Sequence, residues 1–586
     1  MSQATRTRRR VRMALAGLAV VLLPIAACGD DDDGGEGAEG APTSAPETTE
    51  AEGEPQRGGT LTFAEYSEPA GLDPIVSTGA GVTGAIEMSA IYDTIMRWNP
   101  ETGEYEPRTA ESLESNEDFT VWTLKLKPGI TFHDGTPYNA EAVVFGMMRH
   151  KSGQPGAPPC EEMFACPRNA TSSGVYMSLV ESMEVVDELT VRFTLTEPWT
   201  AFAYALSDEA SMIPSPTAMR TMCANTPVAR ECPFNLAPVG AGPFRIDRFT
   251  PKESITMVRN ENYWGGEVYL DGLRFVNPGD AGGDLTWEGF DAGNYDVAFL
   301  RTPPSVAAAE EAGVPHYSAL QHGGGVFLVN MGVTITCAGG QPAPLCTGKP
   351  DGPTATTPPT ASLKVRQAIA YAIDPVVIDE RAYEGLGNPD SSLLQEEFRW
   401  DPGVEGPEYD PELARQLADE AKAEGWDGTV RILYTNAPTA QQIAIAVETM
   451  LEAVGIDAIV DTSKPTAEHI QTVVVQKDFD LSGWGYAIAS DDGAMAALAQ
   501  NLQSTSPSNR VGFKSEAVDQ ALRDLRAAQT DEEKVEAFRI IEQEVAEQIP
   551  VIPFAAMEER IVWHDNVHGI VFNHSTSMFF DKAWKS

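Results

Sequence analysis

The sequence predicts an α/β protein made of more than one domain. Three observations carry that expectation. The chain has 586 residues, well past the roughly 300 at which single cores stop growing. A strand at Val430–Tyr434, an amphipathic helix from Thr439 to Gly455 and a second strand at Ile456–Val460 follow one another as an α/β unit does. From Phe119 to Met148 a strand, a turn and a capped helix form another compact unit. Composition is that of an ordinary globular chain, 42% hydrophobic and 22% charged. The net charge of −45 argues against a nucleic-acid partner, which needs basic surface.

The N-terminus reads as a processing segment. Arg6, Arg8, Arg9, Arg10 and Arg12 precede a mostly apolar run, Met13 to Ala27, that is short for a membrane span. It ends Ile25-Ala26-Ala27-Cys28, which resembles a lipobox. Residues 1–28 are therefore expected to be a lipoprotein signal peptide, with Cys28 carrying the lipid (palmitate among its acyl chains) on the outer face of the cytoplasmic membrane. Residues 29–57 begin with Asp30 to Asp33 and lack large apolar side chains. Such a stretch cannot bury a core and is expected to be a disordered acidic tether.

Leu61-Thr62-Phe63-Ala64 reads as the first strand, Leu72-Asp73-Pro74 as a turn and Ile86 to Met96 as a helix. Next, Phe119, Val121, Thr123 and Lys125 alternate with Thr120, Trp122, Leu124 and Leu126, a period-two pattern. Lys127-Pro128-Gly129 turns the chain and Ile130–Phe132 reads as a short strand. His133-Asp134-Gly135 turns it again, and Asn139 stands where a helix cap belongs. Written as a motif, TWxLKLKPGxxFHDGxPxNAxxVxF resembles the signature of the bacterial extracellular solute-binding proteins of family 5. These are the binding components of peptide, dipeptide, nickel and related ABC importers. Ala142 departs from it where an acidic residue is usual.

The remaining elements follow the same family. Val185 to Leu195 reads as a hairpin turning at Asp187-Glu188. Pro238-Val239-Gly240-Ala241-Gly242-Pro243-Phe244 resembles a PVGTGPF element, and Arg259-Asn260-Glu261-Asn262-Tyr263-Trp264 an RNxxYW segment. Leu270–Phe275, Tyr295–Phe299 and Val326–Met331 read as strands, the last resembling the family's crossing from one lobe to the other. A Cys/Pro/Gly/Thr-rich insert from 332 to 362 is expected to be a surface loop. Leu363 to Asp374 resembles the VRQAxxYAID helix. Asp410 and Pro411 open another helix as N-cap and N1, and Asp531 to Gln548 forms a third. Ile549 to Phe554 returns the chain.

The resemblance implies a two-lobed periplasmic-binding-protein-like fold with an extra subdomain in the first lobe. The expected division is 58–325 for lobe I, with the insertion at about 97–237, then 326–550 for lobe II and 551–586 returning to lobe I. Function follows from the same source: an extracytoplasmic solute-binding lipoprotein that gives a peptide-like or other medium-sized polar solute to ABC permeases. It is expected to be a monomer, to use no cofactor or metal, and to catalyse nothing. No Gly-x-Ser-x-Gly, His-Glu-x-x-His or P-loop pattern is present, which weakens the rival reading of a secreted hydrolase. A peptide-sensing or chaperone-like surface lipoprotein is the other alternative.

For the site, ligands of open α/β sheets lie beyond the carboxyl ends of strands. Phe479 to Tyr486 ends a strand in glycines beside Trp484 and Tyr486. In the peptide-binding branch a tryptophan here lines the pocket and an aspartate shortly after receives the ammonium. Trp484 matches, whereas Ala487 stands three places on, with Asp491 and Asp492 the nearest acids. Glu65 and Tyr66, after the first strand, are expected to face the same solute. Besides Cys28 there are six cysteines. They fall into close pairs, Cys160 with Cys166, Cys223 with Cys232 and Cys337 with Cys346, each in a Pro/Gly/Ala-rich stretch. Disulfides stapling local loops are the expectation, although six cysteines allow fifteen pairings. His564, His568 and His574 lack the spacing of a metal site.

Overall fold

The computed structural model describes residues 53–76, 84–152, 157–166 and 172–586. Cys28 and nearly all of the tether lie outside the described residues. The fold is the expected two-lobed α/β architecture, organised on an eleven-stranded mixed sheet. At one end Asp457–Lys464, Thr429–Thr435 and Leu481–Trp484 lie parallel. At the other, Thr60–Ala64 lies parallel to both Gly272–Val276 and Val297–Leu300. Two long antiparallel strands, His316–Val329 and Val551–Trp563, join the ends. Their pairing is regular from His316 to Gln321, breaks between Gln321 and Gly325, and resumes at Val326. Gly323, Gly324 and Gly325 occupy the break. A Cβ at Gly324 would sit 2.6 Å from the Met557 side chain and one at Gly325 2.6 Å from the Phe554 ring. The missing side chains are what let the two strands cross here at close range.

Helices cover each end, as parallel strands require. Leu363–Ala372, Pro411–Ala423 and Pro438–Ala453 pack their apolar faces around Phe327, Ile432 and Phe554. At the other end Phe63, Phe275 and Phe580 centre a separate core. The inserted subdomain is a four-stranded antiparallel sheet ordered Ala110–Ser115, Val121–Leu126, Thr190–Leu195, Val180–Asp187.

The signature stretch is a structural unit. Val121–Leu126 pairs with Thr190–Leu195 in register Trp122↔Phe193 and Leu124↔Val191, burying those four side chains. Asn139 caps Ala140–His150 by accepting from the Ala142 N–H. His133 fixes the glycine element with both backbone and ring: its N–H donates to the Gly240 carbonyl at 2.8 Å, and Nε2 lies 3.0 Å from the Gly242 carbonyl oxygen. Asp134 accepts from the Ser215 and Thr136 hydroxyls. Gly240 must be glycine, since a Cβ there would meet the Ile91 carbonyl oxygen at 2.2 Å. The leucine–aspartate–proline turn is tied to the same unit. Arg149, at the end of the Ala140–His150 helix, places Nη1 and Nη2 at 2.7 and 2.6 Å from the two Asp73 oxygens, with both side chains fully enclosed. Arg366 is also structural: Nε donates to the Gln548 carbonyl and Nη1 to those of Thr360 and Ala361.

The six remaining cysteines form three disulfides in the expected pairs: Cys160 with Cys166, Cys223 with Cys232, and Cys337 with Cys346. Each closes a local loop, as expected, and the structure adds where the sulfurs sit. The cysteines of the Cys160–Cys166 bridge are themselves partly exposed. Cys223 and Cys232 are buried in the Phe63 core, where Cys232 Sγ also accepts from the Phe234 N–H. Cys337 and Cys346 are buried too, and with Ile335 they form a small core of their own under the 332–362 insert. These two bridges are thus packing elements as well as loop closures, since a disulfide sulfur is apolar enough to be buried among hydrocarbon side chains.

Other local expectations are corrected. Ile130–Phe132 is no strand; Thr131 makes one isolated bridge to Pro137. The first helix ends at Tyr92 and Met96 begins a strand instead, with Asp93 at φ 64° breaking the helical run. The 332–362 insert contains a hairpin, Thr334–Cys337 with Gly352–Ala355. Among the described residues no helix is long and apolar enough to cross a membrane.

Candidate functional site

The two parallel blocks of the sheet each present strand carboxyl ends, and these ends bring their side chains together. In the first lobe Phe63 pairs with Val297 and Ala64 with Ala298, so Glu65-Tyr66 and Arg301 leave neighbouring strands side by side. In the second lobe Ile432 pairs with Leu481 and Leu433 with Ser482, so Tyr434 and Trp484 do the same.

Tyr66 is partly exposed and packs edge-on against Phe299, ring centres 5.4 Å apart. The Arg301 guanidinium lies 5.4 Å from the Tyr66 ring centre, and Nη1 donates a long 3.4 Å hydrogen bond to the Tyr66 hydroxyl. Arg301 Nε is 3.9 Å from Glu559 Oε1. Glu559 Oε2 accepts from Gln321 Nε2 at 3.1 Å and Thr576 Oγ1 at 3.3 Å. Burial pushes the Glu559 carboxyl up, and Arg301 only partly opposes this. The field of Arg301 reaches across to the second lobe. Burial pushes the Tyr383 phenol up to about 12 and that of Tyr434 higher still, and in both Arg301 pulls the other way. Tyr66 also acts on Tyr434. Tyr66, Arg301, Tyr383 and Tyr434 therefore lie near enough to influence one another electrostatically.

The second-lobe wall is aromatic. The Tyr434, His469 and Trp484 rings follow one another at 6.3 and 5.7 Å. His469 Nε2 lies 3.0 Å from Ser482 Oγ, and burial holds this imidazole down to about 4, hence neutral. The Arg510 guanidinium sits 5.0 Å from the Trp484 ring centre, a cation–π contact that holds the indole while leaving it partly exposed. Gly483 has a definite role: a Cβ there would fall 2.2 Å from the Tyr434 ring.

The sequence-based candidates divide accordingly. Trp484 and Tyr66 stand at the facing strand ends. Tyr486 is 6% exposed; its N–H donates to the Gly323 carbonyl, so it braces the strand crossing. Glu65 is a correction. It is 5% exposed and turns inward to hydrogen-bond Glu87 of the Ala85–Tyr92 helix, where burial and the neighbouring acid raise its pKa strongly. A carboxyl held this way is an interior group rather than a solute-facing one. Asp491 and Asp492 are both engaged. Asp491 takes the Gly493 N–H at 2.7 Å and faces His574 Nδ1 at 2.8 Å. Asp492 takes Lys534 Nζ at 2.8 Å and the Tyr105 hydroxyl at 3.0 Å. Neither is free to receive an ammonium.

Sequence reasoning did not reach Arg301, Tyr383, Tyr434, His469 or Glu559. Applying the strand-end rule to Tyr295–Phe299 and Val430–Tyr434 would have found Arg301 and Tyr434. The C-terminal histidines go to separate partners: His564 stacks on Phe290, His568 on Trp584, and His574 faces Asp491. Among the described residues one His/Cys/acid group is tight enough for a metal ion, Cys160, Glu161 and Cys166. Its two sulfurs are bonded to each other.

Comparison with known proteins agrees with this geometry. Residues 104–507 match the family model described as bacterial extracellular solute-binding proteins, family 5. The dipeptide-binding protein of Escherichia coli (strain K12) is 24% identical over 547 residues, covering 88% of this chain and 89% of that protein. Heme-binding protein A of Haemophilus influenzae is 24% identical over 543 residues, with 87% and 89% covered. The solved structure of the oligopeptide-binding protein AppA of Bacillus subtilis, in complex with a nonapeptide, superposes with a TM-score of 0.71 at 19% identity. That match covers 91% of this chain and all of the other. A motif-bearing strand and capped helix, a sheet crossed by two long strands and a family match over most of the chain agree, and the chain belongs to the bacterial extracellular solute-binding proteins of family 5.

Proposed function

We propose that this protein captures a peptide-like or other medium-sized polar solute between its lobes and passes it, chemically unchanged, to the permeases of an ABC importer. The observation that carries the reading is the convergence of Tyr66 and Arg301 from one lobe with Tyr383, Tyr434 and Trp484 from the other. Aromatic faces with a few fixed polar groups are what a reversible binding cleft needs. In this reading the two long strands crossing at Gly323–Gly325 act as the hinge between the lobes. Relatives named for dipeptide binding and a nonapeptide complex support the peptide class, while a heme-binding relative shows that the family's range is wider.

The working protein is a monomer held by lipid on Cys28 at the outer face of the cytoplasmic membrane, its lobes divided near 325 and 550. Radiolabelled palmitate incorporation that persists in Cys28→Ser would refute the anchor. Calorimetric titration with a tryptic casein digest, a mixture of oligosaccharides and a nickel–histidine complex tests the solute class. Binding confined to sugars or metal complexes would end the peptide reading. In this scheme Trp484→Ala lowers affinity for the retained solute by about tenfold or more, as loss of a buried aromatic anchor does, while the melting temperature stays within a few degrees. Unchanged affinity would remove Trp484 from the site.

A further inference from the structure

Arg301 is a charge in the cleft with buried, unpartnered donor capacity. Its backbone is fixed: its N–H donates to the Gly282 carbonyl at 2.9 Å, and the strand before it is wholly buried. A guanidinium has five N–H donors in a planar fork. Among the described residues the Arg301 side chain has one hydrogen bond, the 3.4 Å contact to Tyr66, and Nε, though buried, has none. The nearest carboxylate oxygen, on Glu559, is 3.9 Å away, beyond hydrogen-bond distance. The other oxygen of that group is already taken by Gln321 and Thr576. The Arg301 side chain is 18% exposed, so a bound solute can reach it.

A partly buried cation with unused donors is costly, and Arg301 has its partners in the wrong places to offset that cost. A ligand carboxylate would supply them. It is planar and takes two parallel N–H bonds from one guanidinium edge. The Tyr66 hydroxyl already lies against this guanidinium, and Tyr383 and Tyr434 are near enough to feel its charge. The acids nearest Trp484 offer no competing site for an ammonium, because Asp491 is held by Gly493 and His574 and Asp492 by Lys534 and Tyr105.

We propose that Arg301 is the recognition point for a carboxylate of the solute, so that this cleft selects compounds by a free carboxylate rather than by a free amine. The inference rests on the cleft reading above and specifies which end of the solute the protein holds.

The test uses matched acid and neutral probes at fixed ionic strength: tri-alanine against tri-alanine amide, and cellobionate against cellobiose. In the wild type the acid of at least one pair binds about tenfold or more tighter than its neutral partner, equivalent to about 1.4 kcal/mol. In Arg301→Gln that ratio falls to about one, and Arg301→Lys, which keeps charge but loses the fork, keeps only part of it. Circular dichroism and melting confirm that each variant folds; if Arg301→Gln does not, the wild-type ratio and the Lys variant still decide. Equal binding of acid and neutral forms overturns the inference and leaves the peptide reading standing if the peptides bind. Discrimination seen only with cellobionate overturns the peptide reading and supports Arg301. Silence of both pairs counts against both.

Discussion

The Asp73–Arg149 pair gives a sharp test of how the first lobe is held. Asp73 sits in the turn after the first strand; Arg149 ends the signature helix 76 residues later. Their side chains are 1% and 0% exposed. Arg149 makes four hydrogen bonds, two to Asp73 at 2.7 and 2.6 Å and two to the Met163 and Phe164 carbonyls at 2.9 and 3.1 Å. Asp73→Leu removes the carboxylate and leaves the cation inside. Breaking one side of such a pair costs about 3–5 kcal/mol. The two carbonyl bonds survive, which places the expected loss near the lower end, about 3 kcal/mol. Replacing both partners with apolar groups of similar size is often neutral or stabilising. The double variant Asp73→Leu/Arg149→Met should therefore recover most of the loss. Urea unfolding followed by both tryptophan fluorescence and circular dichroism measures this, with coincident curves required before free energies are compared. A single variant that loses under about 1 kcal/mol, or a double variant less stable than the single, would refute the argument that an uncompensated charge sets the cost.

Three further outcomes follow from the same reasoning. The Glu65 carboxyl has its pKa raised by burial and by Glu87, so the folded protein holds a proton that the unfolded chain releases above the ordinary carboxylate range near about 4.3. Stability contributed here falls as pH rises from there toward the raised folded value. Glu65→Gln should thus stabilise the protein at neutral pH, by a margin that widens from about pH 6 to about pH 8 in thermal melts; a constant margin would contradict it. At His574 burial opposes the charge but Asp491 outweighs it, so its pKa is raised. Its stabilisation is fully present below about 6.5, the unfolded value, and is lost as pH rises through the raised one. Melts of wild type and His574→Gln should converge in alkaline buffer, and a gap independent of pH would refute this. Gly483→Ala should push Tyr434 off its strand, costing about 1–3 kcal/mol as overpacking does and weakening solute binding; retention of wild-type affinity would show that Tyr434 does not shape the site.

How much of this was legible in the chain varies with the kind of signal. Asn139, and Asp410 with Pro411, mark helix starts by local hydrogen bonding, and the structure has a helix at each. Close spacing in the chain was enough to pair Cys223 with Cys232 and Cys337 with Cys346, but not to show that both bridges lie in cores, because burial depends on what the rest of the chain lays over them. The strand His316–Val329 was seen only from Val326. Its first half reads HYSALQHGGG, with no apolar alternation, and becomes a strand through pairing with Val551–Trp563, far along the chain. Trp484 and Tyr66 could be placed at strand ends because strand and end are local features. Whether a side chain past a strand end turns outward, as Tyr66 does, or inward to a partner on another element, as Glu65 does toward Glu87, is not a local property.

Sequence alone determined the family, the α/β class, the helix caps and the tryptophan at the end of the Leu481–Trp484 strand, because each is written in neighbouring residues. Only the tertiary structure decided which charges are satisfied. Asp491 and Asp492 look available in sequence and are taken by His574 and Lys534. Arg301 looks unremarkable after a buried strand and is left with unused donors between the lobes. Hydrogen-bond satisfaction is a sum over partners far apart in the chain, and it exists only once the sheet brings those partners together.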